Sequence, residues 1–182
     1  ASEGKFTSLG YLEKDDLYDV ISDTFERFGD DIYVGTYGES MGAVTVLLEA
    51  QKDTRVQFVF CDCGFKNLSV LIDEILQKHR YFPKVVFKPI SNLLFKIFTG
   101  SSYNGISPIQ AIKSLDIPIF FAHGEADDFI DFHHTLDLYE SYSGPKKIFI
   151  ASNDAKHAGA YVKDTKKYEE AVTKFVEEYL PE

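Results

Sequence analysis

The sequence predicts an α/β fold in which helices cover both faces of a parallel sheet. Short apolar runs rich in β-branched and aromatic residues alternate along the chain with longer segments of helical apolar periodicity. Strands that are separated by helices form βαβ units, and such units build parallel sheets. With 182 residues, of which 45% are apolar, the chain has the size and composition of one domain with a substantial core.

The individual elements follow from the apolar pattern. Strands are predicted at residues 32–37, 56–61, 117–122 and 147–151. Helices are predicted at residues 17–28, 41–51, 68–79, 132–142 and 168–179. Residues 80–110 are the exception, because they are rich in Phe, Lys, Pro, Gly and Ser and their periodicity is weaker. This stretch is too long for a plain connection, so we interpret it as a lid segment inserted in a single domain of residues 1–182.

Charge and cysteine content exclude several classes of function. The formal net charge of −10 disfavours binding to nucleic acid and to anionic membranes. Cys61 and Cys63 are expected to be two small core residues, because side chains two apart on a strand do not readily form a disulfide. No Cys/His set has the spacing of a structural zinc site. Lys84, Lys88 and Lys96 interrupt the most apolar stretch, so no segment is predicted to span a membrane.

The sharpest motif is Gly38-Glu39-Ser40-Met41-Gly42, which matches G-x-S-x-G. An apolar run precedes it and a predicted helix follows, as a strand-to-helix turn requires. Such a turn exposes the serine hydroxyl at a helix N-terminus, where free N–H groups favour a developing anion. A side chain at Gly38 or Gly42 is expected to collide with neighbouring backbone. Ser40 is therefore a candidate nucleophile; the alternative is a glycine-rich turn with an incidental serine.

A nucleophilic serine needs a base that is oriented by an acid, and in this architecture the order along the chain is serine, acid, histidine. Candidate acids follow the predicted strand at residues 117–122. Asp127 and Asp128 both have a suitable position, and periodicity does not decide between them. Glu125 and Asp131 are weaker candidates.

The candidate base is His157, which follows the last predicted strand in a glycine-containing loop. His133 and His134 are expected on the surface of a helix, and His79 at a helix end. We expect His123, beside Gly124, to brace the loop that carries the acid.

Together these segments resemble a known family. Gly-Glu-Ser-Met-Gly-Ala, His-Gly-x-x-Asp-Asp-Phe-Ile and Lys-His-Ala are similar to motifs of bacterial α/β-hydrolases, in particular Firmicute proteins described as cell-surface or uncharacterised serine hydrolases. The resemblance implies a serine esterase with Ser40 as nucleophile, His157 as base and Asp127 as acid, and with the Met41 N–H as one donor of the oxyanion hole. It implies no metal and no organic cofactor.

One departure from the family pattern concerns the start of the chain. The family sheet has eight strands and its nucleophile follows the fifth, whereas one helix precedes the elbow strand here. We therefore expect strands five to eight, the C-terminal half of the fold, in a fragment of a longer protein whose compartment stays unassigned. Residues 1–4 resemble the end of the family's His-Gly-x-Ser-Glu-Gly segment. The elbow strand would then be an exposed edge, which we expect to be covered by another chain (a second copy or a complementing chain), by a swapped element or by a rearranged N-terminal segment.

The resemblance leaves two functions open. The first is hydrolysis of a small or medium carboxylic ester with an apolar acyl part, which would contact Phe95, Phe98 and Tyr103 of the lid segment. The alternative for these three aromatic residues is that they are plain core. A peptidase or a thioesterase would use the same chemistry. The second is a catalytically impaired or non-catalytic binding or assembly module, because the second oxyanion donor of the family comes from a loop that precedes this chain.

Overall fold

The computed structural model describes residues 6–78 and 83–179. The strands are β1 (Val34–Glu39), β2 (Val56–Asp62), β3 (Ile119–Gly124) and β4 (Lys146–Ala151). The α-helices are α1 (Glu13–Phe28), α2 (Met41–Ala50), α3 (Leu68–Lys78), α4 (Lys84–Thr99), α5 (Pro108–Ala111), α6 (His133–Ser141), α7 (Ala160–Lys163) and α8 (Thr165–Tyr179). The prediction missed the short helix α7, which lies in the loop after the last strand.

The four strands form one parallel sheet in the order β1-β2-β3-β4. Their carboxyl ends lie at the same edge, since Glu39 pairs with Asp62 and Asp62 with Ala122. Loops that follow these ends therefore meet at that edge. Among the described residues only β2 pairs with β1, and the expected cover of the β1 edge stays a prediction.

The core confirms that helices cover both faces of the sheet. Along β3, Ile119 and Phe121 pack with residues of α1, α2 and α6 on one face. Phe120 and Ala122 point the other way and pack with residues of α7 and α8. Because successive side chains of a strand alternate between faces, every residue of β3 is buried. The predicted α/β fold with a parallel sheet is thus confirmed.

The segment predicted as a lid contains more regular structure than its sequence pattern indicates. Residues Lys84–Thr99 form the four-turn helix α4, with Pro89 inside it, and Gly100 ends the helix with a φ of 81°. Residues 79–82, including His79, lie outside the described residues. Whether residues 80–110 act as a lid stays a prediction. No described helix combines the length and the apolar character that a membrane span requires.

Candidate active site

Ser40 lies in the turn between β1 and α2, with φ 55° and ψ −116°. This left-handed backbone is uncommon for a residue with a side chain and costs energy. The N–H of Ser40 donates to the carbonyl oxygen of Asp62 at 2.9 Å, which ties the turn to the end of the neighbouring strand.

The two glycines of the motif have different roles. A Cβ on Gly38 would lie 2.2 Å from the carbonyl carbon and oxygen of Gly42, so the turn requires glycine at position 38. The collision expected at Gly42 is wrong, because a Cβ there would meet no described atom within 4 Å beyond its chain neighbours and the nearby backbone of its own helix. The side-chain direction of position 38 points at the backbone of Gly42, whereas that of position 42 does not point at Gly38, so only Gly38 has to lack a side chain. Glu39 is exposed and accepts a hydrogen bond from the hydroxyl of Tyr37 at 2.7 Å.

A chain of hydrogen bonds joins the three residues that the motifs single out. The Oγ of Ser40 lies 2.9 Å from Nε2 of His157, and Nδ1 of His157 lies 2.7 Å from Oδ2 of Asp127. These residues come from the turn after β1 and from the loops after β4 and β3, so the common edge of the sheet brings them together. With the proton of the imidazole on Nδ1, Nε2 can accept the serine proton and Asp127 can stabilise the resulting cation.

The loop around Asp127 keeps that carboxyl group ionised. Burial alone would raise its pKa, but hydrogen bonds from His123 and His157 and from the N–H groups of Ile130 and Phe129 outweigh burial and lower the pKa of Asp127 to about 2. A permanently ionised carboxylate is what an imidazolium neighbour needs.

The alternative acids lie elsewhere. The side chain of Asp128 is 74% exposed, whereas that of Asp127 is fully buried. Glu125 is exposed, and Asp131 accepts a hydrogen bond from Nδ1 of His133 at 2.9 Å.

His123 is a second histidine in contact with Asp127. Its Nε2 is 3.1 Å from Oδ2 of Asp127 and 3.0 Å from the carbonyl oxygen of Ile130. Its Nδ1 is 2.7 Å from Oγ1 of Thr135, whose hydroxyl can donate to it. In that tautomer the Nε2–H of His123 donates to the carboxylate, as expected of a residue that braces the acid loop.

Cys63 lies at the site, which the sequence did not indicate. The prediction placed it on a strand with Cys61, but β2 ends at Asp62 and Cys63 adopts a φ of 44°. Its sulfur lies within 4.8 Å of the ligand atoms of Asp127 and His157. Burial and the charge of Asp62 raise the pKa of the Cys63 thiol to about 12, so it is neutral near neutral pH. Both cysteines are free and buried, as expected.

Two further features complete the surroundings of His157. The ring of Phe129 contacts the imidazole edge to face, with centroids 5.1 Å apart, and is 52% exposed. Ala158, the next residue, adopts a φ of 53°. Phe129 belongs to the same motif as Asp127, but only the tertiary structure shows that it faces His157.

Met41 begins α2 directly after Ser40. The first N–H groups of an α-helix have no partner inside the helix, so the N–H of Met41 is available to a ligand beside Ser40. This geometry is compatible with the predicted role of Met41 as an oxyanion donor.

The histidine pair of α6 differs from the prediction. His133 is partly exposed, but the side chain of His134 is fully buried, because α6 packs it against α3. Its Nε2 lies 2.8 Å from Glu74, and its Nδ1 accepts a hydrogen bond from the N–H of Lys66 at 3.3 Å. Glu74, His133 and His134 are close enough to share a metal ion, but this cluster is separate from Ser40.

The sheet, its flanking helices and the order of the loops at its carboxyl edge define the α/β-hydrolase fold. An esterase of Pyrococcus furiosus superposes with a TM-score of 0.72 at 17% identity, over 98% of this chain and 66% of that one. An acylaminoacyl peptidase of Pyrococcus horikoshii gives 0.67 at 16% identity, over 95% of this chain and 29% of that one. An esterase domain from Rhodothermus marinus gives 0.64 at 14% identity, over 92% and 69%.

In sequence, the chain is similar to the uncharacterized protein YqkD of Bacillus subtilis. The two are 34% identical over 178 residues, which are 97% of this chain and 58% of YqkD. The chain thus spans less than two thirds of that relative. No family model matches the sequence.

Proposed function

We propose that this chain is a serine hydrolase that cleaves carboxylic esters through an acyl-enzyme. The observation that carries the proposal is the continuous hydrogen-bonded path from Ser40 through His157 to Asp127, with distances of 2.9 and 2.7 Å. A fold shared with esterases and a peptidase is compatible with this chemistry.

In the proposed acylation step, Oγ of Ser40 attacks the ester carbonyl carbon while its proton moves to Nε2 of His157. The carbonyl electron pair moves onto oxygen, which receives a hydrogen bond from the N–H of Met41. The tetrahedral intermediate then collapses. Its bond to the alkoxy group breaks, and His157 gives the proton to the leaving alcohol. Asp127 stays ionised throughout and stabilises the imidazolium.

Deacylation repeats the same movements with water. His157 takes a proton from water as the water oxygen attacks the acyl carbon, and then returns that proton to Oγ of Ser40 as the acid leaves. No metal or organic cofactor takes part in these steps. We propose a small or medium-sized ester with an apolar acyl group as substrate.

The deciding experiment is hydrolysis of p-nitrophenyl acetate and butyrate by this chain and by Ser40→Ala. We expect the variant to lose about 10⁴-fold or more in kcat, because the nucleophile is gone. Ser141→Ala, at the exposed end of α6, is the matched control and should keep the parent rate.

Labelling with a fluorophosphonate reports an activated serine independently of the substrate chosen. We expect labelling of the parent chain and none of Ser40→Ala. If neither turnover nor labelling depends on Ser40, the proposal is wrong and the binding or assembly module takes its place. Faster cleavage of an acyl thioester or a peptide p-nitroanilide than of the esters would replace only the substrate class.

A further inference from the structure

Helix α4 carries its apolar side towards solvent. Seven of its apolar side chains have exposed fractions between 49% and 87%: Val85, Val86, Ile90, Leu93, Leu94, Ile97 and Phe98. At 3.6 residues per turn five of these positions fall within an arc of about 100° of the helix, and Val85 and Phe98 flank this arc. The ring of Phe98 also stacks on that of Phe6. Such a contiguous apolar surface is unusual for a protein face that water covers.

The opposite side of α4 attaches to the protein mainly through polar groups. Oδ1 of Asn92 accepts the N–H of Tyr103 at 2.7 Å, and Nζ of Lys88 contacts the carboxylate of Asp73 at 2.7 Å. Phe95 is the α4 side chain that packs with a core cluster of the described residues. An ordinary surface helix has the reverse arrangement, with its apolar side inward.

The charge around α4 differs from that of the rest of the chain. Residues 75–115 contain six of the 19 Lys and Arg and none of the 29 Asp and Glu. On α4 itself, Lys84 and Lys96 lie near the two borders of the apolar side, and both are exposed, although Nζ of Lys84 also lies 3.2 Å from Oδ1 of Asp73. The helix is thus an apolar surface bordered by positive charge, in a protein whose net charge is −10.

We propose that α4 docks this protein onto an anionic lipid surface, with the apolar side among the acyl chains and Lys84 and Lys96 at the headgroups. Helices that lie in membrane interfaces combine an apolar side with lysines whose aliphatic stems reach to the headgroups. The inference does not depend on the proposed hydrolase activity.

Two physical points favour lipid over other occupants. Docking of a second copy on this surface would bring two positively charged segments together, and they would repel each other. Anionic headgroups would instead attract the lysines. The net negative charge of the whole chain disfavours binding to anionic membranes. Because salt screens charges that are more than about 10 Å apart, the charge near α4 determines how this surface interacts with a membrane.

The test is co-sedimentation of this chain with vesicles of phosphatidylcholine alone and of phosphatidylcholine mixed with phosphatidylglycerol. We expect binding to the mixed vesicles that weakens with added salt, and weaker binding to phosphatidylcholine. Ile97→Asp should reduce binding about tenfold or more, because a carboxylate replaces an inserted side chain. Lys96→Gln should weaken binding to the mixed vesicles about fivefold.

Val162→Asp is the matched control, since Val162 is 75% exposed on α7 and the change adds the same charge. It should bind as the parent does. All variants are compared by circular dichroism and thermal unfolding to confirm that they fold.

Two results would overturn the proposal. One is absence of binding to the mixed vesicles. The other is binding that Ile97→Asp and Val162→Asp reduce equally. A parent chain that sediments as a dimer, with Ile97→Asp as a monomer and no vesicle binding by either, would assign the surface to a second copy instead.

Discussion

His123 and Asp127 face each other across one buried loop, with Nε2 of the imidazole 3.1 Å from Oδ2 of the carboxylate. The same oxygen contacts His157 at 2.7 Å. His123 therefore helps to fix the direction in which Asp127 presents its charge, although it makes no hydrogen bond to Ser40 among the described residues.

We expect His123→Phe to lower kcat about ten- to a hundredfold with little change in KM, because groups that orient a reacting side chain have effects of this size. Steady-state kinetics on p-nitrophenyl butyrate measures the two constants. His123→Gln, whose amide can still donate to Asp127, should restore part of the loss. Equal losses in both variants would indicate that His123 only fills space.

Asp127 and Asp128 can be separated by one matched pair of substitutions. Asp127→Asn should lower kcat by about 10³- to 10⁴-fold, because an amide neither stabilises the imidazolium nor fixes the same tautomer of His157. Asp128→Asn should keep the parent rate, since Asp128 is 74% exposed. The opposite result would assign the acid to Asp128.

Asp127 also makes a prediction for stability at low pH. Its pKa is about 2 in the folded chain, below the ordinary value of 3.8. The ionised form therefore stabilises the fold fully above about pH 4, and this contribution, about 2 kcal/mol, is lost as the pH falls towards 2. Urea unfolding across this range should show a smaller acid loss in Asp127→Asn than in Asp128→Asn. Parallel pH curves for the two variants would contradict this account.

The turn at Ser40 predicts unequal effects of two similar substitutions. Gly38→Ala would place a methyl group 2.2 Å from the backbone of Gly42, so the turn has to shift. We expect a loss of about 1–3 kcal/mol in the free energy of unfolding, together with a loss of fluorophosphonate labelling. Gly42→Ala should be much closer to neutral, because its Cβ meets no described atom within 4 Å beyond its chain neighbours and the nearby backbone of its own helix. Comparable destabilisation by both would mean that the turn differs from this geometry.

Much of the fold could be predicted because its pattern is strong. Each predicted strand overlaps an observed strand, and the boundaries differ by at most two residues. For β1 the glycine motif suggested an end at Tyr37, but pairing with β2 continues through Gly38 and Glu39. Strand ends depend on the neighbouring strand, which a local pattern does not include.

Helix α4 escaped the pattern for a different reason. Its apolar residues occupy much of the helix circumference and Pro89 lies inside it, so a single apolar stripe does not stand out in the sequence. The predicted surface position of His134 was wrong, because its burial depends on contact with α3 and not on the pattern of its own helix.

At the site, motif order was enough to select Ser40 and His157, which the structure places within hydrogen-bonding distance. The choice between Asp127 and Asp128 depended on the family resemblance, because the apolar pattern does not distinguish two adjacent aspartates. Their burial separates them in the structure. Cys63 and Phe129 approach His157 only through the folded loops, so no local signal in the sequence indicated them.

Three residues around the imidazole, Ser40, Cys63 and Ala158, have left-handed backbone although none is glycine. Glycine at Cys63 or Ala158 would adopt these angles with less strain, so it would relieve local tension while making the unfolded chain more flexible. The loops are therefore held in place by their surroundings and not by their own preference. The strained backbone at these three positions holds the groups around His157 in place. Substitutions that raise the thermal stability of this protein are therefore better chosen at other positions.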